Sequence, residues 1–144
     1  MLRIGKMTDY AMLILSRMAQ APTSVLSAAT LAEALHLTLP TVSKILKMLS
    51  EAELVISSRG AEGGYKLARD PLKISVADII AAMEGDVAIT ECCEKNGHCA
   101  IRQKCALREN WQKINAMVYA MLSNVTILDM TKPLNKEVIE WQIN

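Results

Sequence analysis

Apolar residues recur at helical spacing through the first part of the chain. Ala11, Ile14, Leu15 and Met18 follow Thr8, a candidate N-cap, and predict a first helix from about Asp9 to Gln20 that Pro22 stops. Ser27 caps a second, short helix whose stripe is Ala28, Leu31, Ala32 and Leu35, ending near His36 and Leu37. A third opens at once. Thr38 is its expected N-cap, Pro40 falls in the first turn where backbone N–H groups lack partners, and Val42, Ile45, Leu46 and Leu49 form the buried stripe. Its opposite face carries Thr41, Ser43, Lys44 and Lys47.

After Leu54 the period changes. Val55 to Ser58 and Tyr65 to Leu67 read as two short strands around Arg59-Gly60-Ala61-Glu62-Gly63-Gly64, a hairpin with a glycine-rich tip. Asp70-Pro71 breaks the chain, and Ser75 to Asp78 offers a capping box for a fourth helix carrying Val76, Ile79, Ile80 and Met83 and closing at Gly85. A loop with all four cysteines follows. Beyond it Trp111, Ile114, Val118, Met121, Val125 and Leu128 keep a 3-4-3-4-3 spacing, the seam expected where helices pack lengthwise against a partner. That helix is expected to end near Asn124, because Thr126 to Asp129 is itself a capping signature.

Composition narrows the class. Of 144 residues 51% are hydrophobic, yet there is no Phe and only two Trp, so the core must be aliphatic, which favours helices over a β-sandwich. The fold expected is mainly α with a small β-wing, a winged helix-turn-helix. No apolar run approaches the ~20 residues of a membrane span and no signal peptide opens the chain, so a cytoplasmic protein without membrane contact is expected. Charge is uneven. Residues 1–73 hold nine Lys and Arg against six Asp and Glu, whereas residues 74–144 hold seven against nine, so the first half is the better partner for a polyanion.

In a winged helix-turn-helix the third helix enters the major groove by its N-terminal residues. There Thr38, Thr41 and Ser43 offer hydroxyls to base edges or phosphates, and Lys44 and Lys47 offer charge to phosphates. At the wing, Arg59 beside Gly60, Gly63 and Gly64 suits a narrow minor groove. A double-stranded DNA operator is the partner this pattern predicts.

Cys93, Cys99 and Cys105 are spaced C-x5-C-x5-C. Without an export signal a structural disulfide is disfavoured, and three thiolates on one loop suit a thiophilic centre. Two fillings stay open on spacing alone: zinc with Cys92 or His98 as fourth ligand, or an iron–sulfur cluster whose fourth corner comes from elsewhere. A thiol redox enzyme is the weaker alternative, because C-x-x-C, a nucleophile elbow and a phosphate-binding glycine loop are all missing and no small-molecule substrate site is legible.

Taken together, Thr8-Asp9-Tyr10-Ala11, the wing Arg59-Gly60-x-x-Gly63-Gly64-Tyr65, the helix from Ile74-Ser75-Val76 to Gly85 and the cysteine loop resemble the winged-helix, iron–sulfur-sensing transcription regulators that include IscR and NsrR. The likeness runs from Met1 to about Met130. Pro40 to Lys44, Glu91-Cys92 and Asn110 to Asn115 are similar to the branch that regulates SUF cluster-assembly genes. The resemblance implies a homodimer joined through Trp111, Ile114, Val118 and Met121, a [2Fe-2S] or [4Fe-4S] cluster on each subunit, DNA affinity set by cluster state, and no enzyme activity. It divides the chain into a DNA-binding unit (1–73), a cluster loop with dimerisation helices (74–131) and a tail (132–144). Cys93, Cys99 and Cys105 are the implied ligands. IscR-type proteins add a His three residues beyond the last Cys, where this chain has Arg108, which stays protonated and cannot bind iron. NsrR-like proteins instead take an Asp from the first helix of the other subunit, the place held here by Asp9, and Cys92 is left as an idle thiol.

Overall fold

A computed structural model describes residues 3–134. The elements are α1 (Lys6–Ala19), α2 (Ala28–Leu35), α3 (Leu39–Glu51), β1 (Val55–Ser58), β2 (Gly64–Leu67), α4 (Val76–Glu84) and α5 (Arg108–Asn124), with single 3-10 turns at Pro71–Lys73, Glu91–Cys93 and Asp129–Thr131. The fold is mainly helical with a two-stranded antiparallel wing, as the periodicity predicts. Of the expected tail, residues 135–144 lie outside the described part.

Side-chain capping sets the starts of α2 and α4. Ser27 Oγ accepts the Thr30 N–H, and Ser75 and Asp78 exchange both bonds of a capping box. Past α5 the expected signature closes a turn, with the Asp129 carboxylate accepting the Thr126 N–H at 2.8 Å and Thr126 Oγ1 accepting the Asp129 N–H at 3.2 Å.

Two expectations need correction. α1 starts at Lys6 rather than about Asp9, and its N-cap is Gly5 rather than Thr8. Thr8 is buried inside the first turn and donates its hydroxyl to the Glu84 carboxylate at the end of α4, which also accepts the Gly5 N–H at 2.7 Å. A partner 76 positions away thus does what a local cap would have done. Thr38 does sit at the N-cap of α3, but its hydroxyl pairs with that of Thr41 at 2.7 Å and caps no backbone group.

One core runs through these elements. Ala11, Ile14, Leu15 and Met18 of α1 pack with Val42, Ile45, Leu46 and Leu49 of α3, with Leu31 of α2, and with Val76, Ile79 and Ile80 of α4. It crosses residues 73 and 74 without interruption, since Ile74 is fully buried and Ile127 joins the same cluster. The end of α5 is stitched to the start of α4 by Val76 N–H to Val125 O and Ile127 N–H to Ile74 O, both 2.8 Å.

The wing pairs Val55 with Leu67 and Ser58 with Gly64. Leu26 adds a third extended segment, exchanging two 2.8 Å hydrogen bonds with Tyr65. That approach requires Gly64, because a Cβ there would stand 2.5 Å from the Leu26 carbonyl oxygen. Gly64→Ala is therefore expected to lower unfolding stability by about 1–3 kcal/mol, the usual range for forced overpacking. Ser57→Ala on the exposed strand face should stay within about 0.5 kcal/mol. Urea denaturation of both variants checks the contrast.

Candidate DNA-contacting face and cysteine loop

α3 buries its apolar stripe and leaves Ser43, Lys44 and Lys47 exposed, with Thr41 half-buried beside them. His36, in a left-handed conformation with φ 53°, ends α2 and turns the chain so that α3 starts three residues later. Lys47 lies 4.0 Å from Glu51 on the solvent side, a contact of little energetic weight, so its charge remains free for a polyanion. Arg59 and Gly60 are exposed at the wing tip, which Gly63 closes by donating to the Gly60 carbonyl at 3.0 Å. The residues expected to meet DNA thus lie on two solvent-facing elements, with Gly63 and Gly64 shaping the second.

α5 has no buried residue. At 3.6 residues per turn Trp111, Ile114, Val118 and Met121 fall within an arc of roughly 80°. Trp111, Ile114 and Met121 are 37%, 43% and 47% exposed, with Met117 beside them at 68%. Contiguous apolar surface of this kind marks an interaction site. On the inner side Leu122 packs on the core, and Asn115 grips the segment before the cysteine loop. Its Oδ1 accepts the Ile89 N–H at 2.9 Å and its Nδ2 donates to Val87 O at 3.1 Å.

All four cysteines are half-buried free thiols. Thr90 Oγ1 lies 3.2 Å from Cys92 Sγ and 3.3 Å from Cys93 Sγ, and the Cys93 thiol also donates to the Trp111 carbonyl at 3.6 Å. Gly97 presses on the Glu91 carbonyl, which an added Cβ would approach to 1.7 Å, so the chain doubles back on itself there and requires glycine. Arg102 lines three adjoining cavities that hold Cys99, the Cys92–Cys93 pair and Cys105 respectively. The thiols are grouped around that loop, but among the described residues no three His, Cys, Asp or Glu side chains converge closely enough to hold a metal ion. The donor chemistry still fits a thiophilic centre. Cys93, Cys99 and Cys105 would hold such a centre, which would supply the attraction that the thiols lack among themselves. His98 is exposed, and Asp9, exposed in the first turn of α1, has no side-chain hydrogen bond or ion pair among the described residues.

A family model, Rrf2, described as an iron-dependent transcriptional regulator, matches residues 4–133. The chain belongs to the Rrf2 family. Among curated Rrf2-type relatives, the HTH-type regulator NsrR of Oceanobacillus iheyensis is 28% identical over 133 residues, covering 91% of this chain and 90% of that protein. IscR of Vibrio vulnificus is 30% identical over 112 residues, 78% of this chain and 65% of its own length, so the match spans just under two thirds of that regulator. Among solved structures, CymR, the global cysteine regulator of B. subtilis, superposes with a TM-score of 0.75 at 28% identity over 91% of this chain and 97% of that one. T. potens IscR gives 0.68 at 28% identity over 90% and 85%. These Rrf2 relatives are transcription regulators and not enzymes, and this chain is a DNA-binding regulator of the same kind. Among the described residues no helix is long and apolar enough to cross a membrane.

Sequence reasoning missed Glu84 and Asn115. Nothing local marks Glu84, but Asn115 had a signal: an amide on the side of α5 shared with the inward-facing Leu122. Asn115→Ala removes both bonds to the 87–89 segment and is expected to cost about 1–3 kcal/mol locally. Hydrogen exchange should show the Ile89 amide losing protection while amides of α1 and α3 keep theirs.

Proposed function

We propose that this Rrf2 protein is a homodimeric, cytoplasmic regulator of iron–sulfur cluster assembly genes, of the SUF type, whose DNA affinity follows the state of an iron–sulfur cluster on each subunit. The observation that carries the reading is the Asn115 clamp, which anchors the stem of the cysteine loop on the helix whose apolar seam is left for a second copy. A change in the loop is thereby felt where two subunits would meet.

Cys93, Cys99 and Cys105 hold the cluster, and Asp9 of the partner subunit fills the fourth position. When bound, the cluster supplies iron that reacts with oxidants and nitric oxide, and [2Fe-2S] and [4Fe-4S] forms both suit three thiolates and a carboxylate. The carboxylate is a harder donor than thiolate, so its iron is the exchangeable one. On DNA, Lys44 and Lys47 neutralise phosphates, Thr38, Thr41 and Ser43 face the major groove, and Arg59, carried on the turn of Gly60, Gly63 and Gly64, enters the minor groove. Two recognition helices read a near-palindromic operator with half-sites ~34 Å, or a multiple, apart. The seam of Trp111, Ile114, Val118 and Met121 joins the subunits, and residues 1–73 and 74–131 divide the labour while sharing one core. A zinc-bound or cluster-free thiol regulator is the second reading, favoured by the lack of a preassembled three-ligand group among the described residues.

Anaerobic purification tests the choice: a brown protein with matched iron and sulfide supports the cluster, and a colourless one supports zinc or free thiols. Cys93→Ser, Cys99→Ser and Cys105→Ser should each abolish stable loading and Cys92→Ser should do little. Asp9→Ala should weaken retention and the cluster dependence of DNA binding, and an unchanged Asp9→Ala protein would return Asp9 to an ordinary helix-end charge worth about 0.3–1 kcal/mol.

Lys44→Ala and Lys47→Ala are expected to weaken binding to all sequences and to reduce the salt slope by about 1 each, whereas Arg59→Ala should change sequence preference. Footprinting across a salt series separates these outcomes. Val118→Asp buries an unpaired carboxylate in the seam at a cost of several kcal/mol and should give monomers in sedimentation.

A further inference from the structure

Arg108 is placed where a cation has no protein partner. Its Nε is buried and makes no hydrogen bond among the described residues, although a buried guanidinium nitrogen that loses water and gains nothing is costly. Its position deepens the problem. Arg108 is the first residue of α5, at the positive end of the helix dipole, where a cation is disfavoured. No ion pair relieves it: among the described residues the salt bridges are Lys47–Glu51 and Lys95–Asp86, and the neighbouring Glu109 does not pair with it. An unpaired, half-buried cation with a buried, unsatisfied Nε at this helix end is accommodated where an acceptor completes it.

The surroundings say which anion. Arg108 lies one helical turn beyond Cys105, whose carbonyl accepts its backbone N–H at 3.4 Å. The two side chains line one cavity of about 380 Å3, together with Arg102, Gln103, Glu109 and Gln112. Arg102 lines the neighbouring cavities of Cys99 and of the Cys92–Cys93 pair as well. Three thiolates and a carboxylate outweigh the positive charge of an iron–sulfide core, so the centre assigned to this loop is anionic, and its sulfurs accept hydrogen bonds. Arg108 itself has no lone pair to give to iron.

We propose that Arg108 is the positioning residue of this centre: its Nε–H donates to a sulfur at the Cys105 corner, and its charge offsets that of the assembly. The proposal rests on the cluster reading above. It would give the orphaned Nε donor an acceptor. A guanidinium there slows loss of the centre and favours the more negative, reduced state, raising the midpoint potential.

The test uses the full-length protein with Arg108→Ala and Arg108→Lys, loaded anaerobically and also prepared without metal. Loaded Arg108→Ala should lose its visible absorption to a chelator about tenfold faster than the parent and shift its midpoint potential to more negative values. Arg108→Lys, which keeps the charge and drops the Nε donor, should fall between. In the metal-free proteins the sign reverses: Arg108→Ala should unfold at the parental temperature or above it, because an unsatisfied buried donor is gone. Parallel destabilisation of the metal-free variant would make Arg108 a structural residue and overturn the proposal. A coloured parent whose Arg108→Ala variant keeps the same loss rate and potential would overturn this proposal alone. A colourless parent would overturn the cluster reading and this proposal with it.

Discussion

α1 has to bury two adjoining faces at once, and the remaining elements are arranged around that demand. Thr8, Ala11, Met12, Ile14, Leu15, Met18 and Ala19 are all buried, so close to half of the helix circumference is turned inward. α3 takes one part of this surface and α4 another, which is why the recognition helix and the helix leading to the cysteine loop share a single core. At the open end of α1, the Glu84 carboxylate sits where the helix dipole favours negative charge and satisfies Gly5 and Thr8 together. The start of α1, with Asp9 in its first turn, is thereby tied to the residue just before the loop begins.

From Gly85 onward the chain relies on α5 in the same way. Asn115 holds the incoming strand of the loop, the Trp111 carbonyl receives the Cys93 thiol, and the backbone bonds between residues 125–127 and 74–76 return the far end of α5 to α4. A helix so anchored at both ends but buried nowhere along its length keeps its outer apolar surface unspent. The loop stem, α5 and α4 are therefore joined by direct hydrogen bonds, and α4 packs into the same core as α1 and α3. Such linkage is what a two-state response at a distance requires.

Much of this was legible in the amino-acid order because local rules dominated. The stripe of α3, the capping box at Ser75 and Asp78, the hairpin around Gly60 to Gly64 and the stop after Asn124 each follow from residues within a few positions of one another. The misreadings have two causes, since Thr38 pairs its hydroxyl with that of its neighbour Thr41 whereas Thr8 is claimed from far along the chain. Thr8 has the chemistry of an N-cap, but its hydroxyl is claimed by Glu84 from a distant helix, and α1 gains an extra turn from that contact. The outer stripe read on α5 also divides in space: Trp111, Ile114 and Met121 stay exposed, whereas Val125 and Leu128 turn back toward α4 and α1 once the helix has ended. Periodicity specifies which residues share a face and is silent on which partner covers it.

The same limit governs the cysteine loop, where spacing names the donors but electrostatics decides when they meet. Among the described residues no protein contact draws Cys93, Cys99 and Cys105 into one coordination sphere, although Arg102 lines the cavity of each. Among the described residues the backbone between Glu94 and Arg108 is stitched by three-residue turns and one longer reach from Lys95 to Asp86. A loop held at its stem by Asn115 and loose in its middle can close around a thiophilic centre without unfolding its scaffold. The ordering cost of such a closure would be confined to the loop itself. The loop stem bears on α5 through Asn115 and follows directly on the end of α4, so under the proposed cluster reading closure of the loop would act on those two elements.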